Sequence, residues 1–167
     1  MGESIVESEM SFISNNIFRI EKSPVYLSVR HSLRTVDFLR CKGENLMFIE
    51  AKTTFPNPQN QNSKVKFRDE ISKICEKFVH SLNLFWAIRA GCFGTCNELP
   101  ECFASCYGVK LVFVLVVRDH RWEWCEGIRA PIAEGIPKYI MRTWKPELFV
   151  INHETAIRRG IAACIPS

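Results

Sequence analysis

The run VKLVFVLVV, residues 109 to 117, is nearly continuous in β-branched and aliphatic side chains. A strand with one wet face alternates apolar and polar residues; this one does not, so it must be covered on both faces. That condition requires a sheet with other elements packed on either side. Upstream, Phe67, Ile71, Ile74, Phe78 and Leu82 recur at helical spacing and predict a long helix from about Lys66 to Ala90. Before that helix, two strands are expected at Thr35 to Cys41 and Leu46 to Thr53, joined by the turn-like Lys42-Gly43-Glu44. A helix between the second of these and residues 109–117 is a crossover, which makes the two strands it joins parallel and the connection right-handed.

The remaining elements follow from periodicity and punctuation. Val6, Met10, Ile13 and Ile17 suggest an amphipathic helix over 3–17, and SPVYLSV, broken off by Pro24, reads as a strand. FPNPQNQNS is an exposed loop. RWEWCEG reads as a short strand, 131–143 and 154–163 as helices, and ELFVIN as a strand between them. The expected class is α/β, with a mixed sheet flanked by helices. Length and apolar content (167 residues, 47% hydrophobic, 24% charged) fit one domain with a sizeable core. No apolar run is long enough to cross a bilayer, and MGESIVESEM has no apolar core of a signal peptide. A soluble intracellular protein, cytoplasmic or nuclear and without a membrane partner, is therefore expected. The net charge of +4 is compatible with a polyanionic partner and equally ordinary.

Eight cysteines are present, four of them as Cys92, Cys96, Cys102 and Cys106 in a Cys-rich insertion at about 91–107. The spacing C-x3-C-x5-C-x3-C departs from the C-x2-C of zinc knuckles, so free thiols or a disulfide are favoured over Zn2+ at these four residues.

The segment ENLMFIEAKTT poses a sharper question. Glu50 and Lys52 are two apart and so share one face of the strand. With Gly43-Glu44 as a two-residue turn, Lys42 opposes Asn45 and, counting back, Asp37 opposes Glu50. The two carboxylates would then stand about 5 Å apart at Cβ, an unfavourable pairing unless a cation lies between them. Leu39 and Phe48 share that face, which makes it a buried one. A divalent metal is the physical expectation.

At these residues the chain resembles the PD-(D/E)xK, or restriction-endonuclease-like, nuclease superfamily. Val36-Asp37 stands at the place of the family's Pro-Asp, followed by twelve residues and then Glu50-Ala51-Lys52. The resemblance implies an αβββαβ core and one nuclease-like domain over 1–167. It also implies Mg2+ or Mn2+ held by Asp37, Glu50 and the Ala51 carbonyl, with Lys52 orienting or activating the attacking water. Family members often add a first-helix glutamate to the metal site. On a helical wheel Glu9 lies about 70° from the apolar stripe and Glu7 about 90°, so Glu9 is the better candidate. The implied activity is metal-dependent endonucleolytic cleavage of nucleic acid, DNA favoured over RNA, by a chain that could pair as a homodimer. Lys64, Lys66 and Arg68 would contact phosphates if the 56–63 loop overhangs the site, and Asp119 and His120 end a strand on the same sheet edge. Lys138, Arg142 and Lys145 with Trp144 form a further candidate basic surface. The alternative is a non-catalytic nucleic-acid-binding or assembly module that keeps the fold, with the cysteine segment or Trp122 and Trp124 as its contact surface.

Overall fold

The computed structural model describes residues 4–95, 99–104 and 108–164; Cys96 and Cys106 of the cysteine cluster lie outside them. The architecture is mixed α/β. Two sheets are formed. In chain order the strands are β1 (Ser4–Glu7), β2 (Met10–Ile13), β3 (Ile17–Phe18), β4 (Phe38–Lys42), β5 (Asn45–Lys52), β6 (Lys110–Val117), β7 (Glu147–Asn152) and β8 (Ala162–Ala163). The helices are α1 (Pro24–Val29), α2 (Lys64–Arg89), α3 (Trp122–Gly135), α4 (Lys138–Thr143) and α5 (His153–Arg158). Strands β3-β4-β5-β6-β7 form the main sheet in that order, and β1-β2-β8 a smaller one.

The hairpin register is the expected one: Lys42 pairs with Asn45 and the ladder runs back to Phe38 opposite Ile49. Gly43 takes φ 58° in the turn, a conformation that side-chain-bearing residues adopt at a cost. Strand β6 lies parallel to β5 and to β7. Its two faces enter two separate cores, as its unbroken apolar run requires. Leu111, Phe113 and Leu115 join Leu46 and Phe48 under α2, while Val112, Val114 and Val116 join Met47 and Ile49 on the other side. Phe78 of α2 stacks on Phe113 at 4.7 Å between ring centroids. Opposite, Phe12 of the small sheet meets Phe38 edge-on at 5.1 Å.

Four expectations are corrected. Residues 3–17 contain no helix among their described part. They form the β1–β2 hairpin and β3, with Ser8 and Glu9 at positive φ in the turn. The apparent helical stripe included Val6, which is 64% exposed, whereas the truly buried pair is Met10 and Phe12, at a spacing of two. SPVYLSV is not a strand. Ser23 accepts a hydrogen bond from the Tyr26 N–H and Pro24 occupies the first helical position, so the capping chemistry of α1 overrides its β-branched composition. RWEWCEG opens α3 rather than forming a strand, because β6 and β7 run parallel and need a crossover between them. Finally, the helix expected over 154–163 stops at Arg158; Gly160, at φ 64°, turns the chain back so that β8 can pair with β2. The order of elements is therefore βββαββαβ up to β6 in place of αβββαβ. Among the described residues no helix is long and apolar enough to cross a membrane.

Helices α2 and α3 approach closely at Gly135. A Cβ there would lie 2.7 Å from the Cys75 sulfur, which itself donates to the Ile132 carbonyl. Gly135→Ala should lower stability to urea by about 1–2 kcal/mol, overpacking outweighing the usual helix gain. In a Cys75→Ala background the same change should be neutral or stabilising; additive effects of the two substitutions would contradict this account of the contact.

Candidate metal centre

The site is assembled where β4 begins and β5 ends. Asp37 stands one residue before β4, and its Oδ2 accepts the Ala51 N–H at 2.7 Å. That bond ties the carboxylate to the neighbouring strand beyond the last ladder pair. Burial raises its pKa, and the Ala51 N–H and Lys77 oppose the shift. Glu50 is 1% exposed. Its Oε1 lies 2.6 Å from Lys77 Nζ and 3.7 Å from Lys52 Nζ. Its Oε2 is buried and has no hydrogen-bond partner among the described residues. Burial first, then repulsion from Asp37, pushes the Glu50 carboxyl up to about 8, with Lys77 and Lys52 offsetting only part.

Two further carboxylates converge. Glu7 ends β1 and Glu21 sits in a 3-10 turn at Ile20–Lys22. Glu7, Glu21 and Asp37 each offer an oxygen within 4.8 Å of the others. Burial, followed by the charges of Asp37 and Glu7, raises the Glu21 pKa. Glu7 is balanced from outside by Arg19, its ion-pair partner, and by Lys22 at 3.9 Å. On the inner side Lys77 faces Glu50, Asp37 and Glu21; their negative charge outweighs its burial and keeps its pKa above the usual lysine value.

These residues fit a hard divalent cation. The donors are carboxylate oxygens: Glu7, Glu21 and Asp37 converge, and Glu50, outside that trio but beside Asp37, offers a buried Oε2 without a hydrogen bond among the described residues. The Ala51 carbonyl is already engaged, accepting the Ser8 hydroxyl at 2.8 Å, so one lone pair at most is left for an ion.

The structure places the other expected residues as follows. Glu9 lies in the β1–β2 turn, with its carboxylate on Arg118, and is not part of the convergent group; Glu7 takes the place expected of it. Lys52 reaches Glu70 at 3.4 Å as well as Glu50, and lines a polar cleft of about 450 Å³ with Thr54, Lys66, Asp69, Glu70 and Lys73. Of the three basic residues expected near phosphate, Lys66 shares this cleft. Arg68 lines a separate cavity of about 440 Å³ with Ile71 and Cys75, and Lys64 is exposed at the helix start. Asp119 pairs with Arg118 at 2.8 Å, and His120 packs edge-on against Trp124 at 5.4 Å. Cys92 and Cys102 are free thiols.

Lys77 and Glu21 escaped the sequence reading. A signal for Lys77 was present: Glu70, Lys73 and Lys77 follow the i, i+3, i+7 pattern beside the core stripe of α2, the spacing at which charges line the margin of a buried face. Glu21 had none, since its position depends on a 3-10 turn between β3 and α1. The chain matches no protein-family model, no curated protein and no solved structure.

The Asp37 hydrogen bond separates charge from structure. In metal-free protein Asp37→Ala leaves the Ala51 N–H without its acceptor and should cost about 1–3 kcal/mol. Asp37→Asn keeps an acceptor oxygen while removing a charge that repels Glu50 and Glu21, and should be neutral or stabilising. Equal losses in thermal unfolding would contradict the assignment.

Proposed function

We propose that the protein is a metal-dependent nuclease of the PD-(D/E)xK kind, cleaving phosphodiester bonds of nucleic acid. The observation that carries the reading is the buried, unpartnered Glu50 Oε2 beside Asp37 and the Glu7/Glu21 pair. The fold supports it as far as the meander β3-β4-β5, the helix α2 and the parallel β6 reproduce the strand and helix order expected of a restriction-endonuclease-like core. The departures are two: a hairpin rather than a helix at the N-terminus delivers the additional glutamate, and α1 stands between β3 and β4.

Mg2+ or Mn2+, held by Glu50, Asp37, Glu7 and Glu21, would supply a Lewis acid for a phosphate oxygen and lower the pKa of a bound water. The chain's own contribution is positioning and charge. Lys52, at the mouth of the polar cleft, is placed to meet a phosphate oxygen and the water attacking it. Lys77 is held on Glu50 by the shorter contact and orients that carboxylate. Lys66 lines the route to the cleft and suits a flanking phosphate. A second reading is favoured by one observation: the Lys77–Glu50 pair at 2.6 Å partly neutralises the centre by itself, as a non-catalytic binding module would need.

Titration of Mn2+ by calorimetry, run beside a cleavage assay, separates the two. Glu50→Ala should abolish cleavage and weaken Mn2+ binding by roughly tenfold or more, since a hard oxygen ligand is gone. Lys52→Ala should leave Mn2+ affinity unchanged or higher while cleavage falls about 10²–10³-fold, the loss typical of one stabilising donor. Unchanged Mn2+ affinity and cleavage in Glu50→Ala would favour the non-catalytic module.

A further inference from the structure

In open α/β sheets, ligands bind beyond the carboxyl ends of the parallel strands. Here β5 ends at Lys52, β6 at Val117 and β7 at Asn152, and the connection after β6 continues alongside β5. The Arg118 N–H donates to the Lys52 carbonyl at 2.9 Å and the Asp119 N–H to the Thr53 carbonyl at 3.0 Å. Directly after this connection α3 begins, and its first residue, Trp122, is 68% exposed. Beside Trp122 lies a cleft of about 210 Å³, with Cys125, Val150 and Ile151 at its base and Asn152 and Arg158 at its rim. That is the space of about seven waters, enough for one planar base.

We propose that this cleft holds an unpaired nucleobase stacked on Trp122, so that the nucleic acid reaching the candidate metal centre is single-stranded or locally unwound. The inference rests on the nuclease reading for its partner and adds the form of that partner. Strands β5 and β7 are two positions apart in the sheet, about 10 Å, so a chain with one phosphate near Lys52 can place a nearby base at Trp122. Cations flank the route: Lys52 and Lys66 line the polar cleft, Arg158 lines the small cleft with Trp122, and Arg121 precedes Trp122 in the chain. The exposed aromatics do not form one apolar patch of the sort that docks a protein or a lipid surface. Trp122 and Trp124 are two residues apart on a helix and point to different sides, and Trp124 is already faced by Arg121 at 5.5 Å and by the His120 ring. A single open indole face in a small cleft suits one planar ring. Paired and stacked bases in a duplex offer no free face to it.

The test measures binding without cleavage. Anisotropy of labelled oligothymidylate and oligouridylate, and of a duplex of equal length, is followed in the presence of chelator for wild type, Trp122→Ala, Trp122→Phe and Tyr139→Ala. Wild type should bind the single strands more tightly than the duplex. Trp122→Ala should weaken single-strand binding about 5- to 150-fold, the range for one stacked base, and leave duplex binding unchanged. Trp122→Phe should retain most of the affinity. Tyr139→Ala, which removes a comparably exposed ring (64%) on another helix, should change nothing. Equal single-strand binding by Trp122→Ala and wild type, duplex binding as tight as single-strand binding, or no oligonucleotide binding by wild type would each overturn the proposal. Because no metal is present, the outcome is independent of the Mn2+ titration: a Trp122 effect without Mn2+ binding would remove the nuclease reading alone, and Mn2+-dependent cleavage without a Trp122 effect would remove the base site alone.

Discussion

A carboxylate taken from water into a protein interior loses several kcal/mol of hydration even after the surroundings relax, and Glu50 has been placed where that loss is nearly complete. Much of the local structure answers to this one group. Lys77 from α2 and Lys52 from its own strand approach the same oxygen, Oε1, and leave Oε2 bare. A fold built only for stability would have set an apolar residue here, continuing the series Leu46 and Phe48 along the same face of β5. Instead the strand ends in charge at the point where β4 delivers Asp37 and the N-terminal segment delivers Glu7 and Glu21. Adding carboxylates to a buried carboxylate raises the energy of the empty centre, as the elevated pKa values of Asp37, Glu21 and Glu50 record. What lowers it again is a positive charge in their midst, of which Lys77 is one.

The four carboxylates come from sequence positions 7, 21, 37 and 50, and tertiary contacts of different kinds hold them in register. Glu50 and Asp37 are placed by hairpin pairing, the most local of these. Glu7 depends on the small sheet, which is itself locked to the main one from two directions. Phe12 packs on Phe38, and Arg40 donates to the carbonyls of Gly160 and Ile161 just before β8. The hairpin turn at Ser8 then caps the end of β5, its hydroxyl donating to the Ala51 carbonyl and its own carbonyl accepting from Thr53. Ser8, which helps bend the N-terminal hairpin, therefore also fixes how far Glu7 reaches towards Asp37.

This difference in locality explains what could be read from the amino-acid sequence. The β4–β5 register, the long α2 and the two-faced β6 were legible because each rests on short-range periodicity or on the fixed geometry of a two-residue turn. The nearness of Asp37 to Glu50 followed from counting alone, although the ladder itself stops one pair earlier, at Phe38 and Ile49. The N-terminal hairpin was not legible because four apolar residues chanced to fall at helical intervals, and a strand of four residues offers too few alternations to compete with them. That error favoured Glu9 over Glu7, since a helical wheel ranks the two by their angle from an apolar stripe, whereas Glu7 in fact ends β1 and Glu9 lies in the turn that follows, its backbone at positive φ. Glu21 and Lys77 required knowledge of which surfaces α2 and the 3-10 turn present to β5, and that is a property of packing.

The two lysines on Glu50 divide their surroundings in a way that bears on function. Lys77 is enclosed by three carboxylates and rises from the middle of a 26-residue helix whose neighbouring residues, Ile74 and Phe78, are fully buried. Its freedom to move is small. Lys52 lies at the last position of β5, shares itself between Glu50 and Glu70, and opens onto the polar cleft. Glu70 in turn is held by Lys73 at 2.7 Å, so releasing Lys52 from it does not strand an unpaired anion. A group that must meet an incoming phosphate needs both access and an inexpensive way to leave its resting partner. Lys52 opens onto the polar cleft and has a second carboxylate to leave, whereas Lys77 makes the shorter contact with Glu50; on the proposed nuclease reading, the farther ammonium is the one suited to substrate and the nearer one to holding the carboxylate in place.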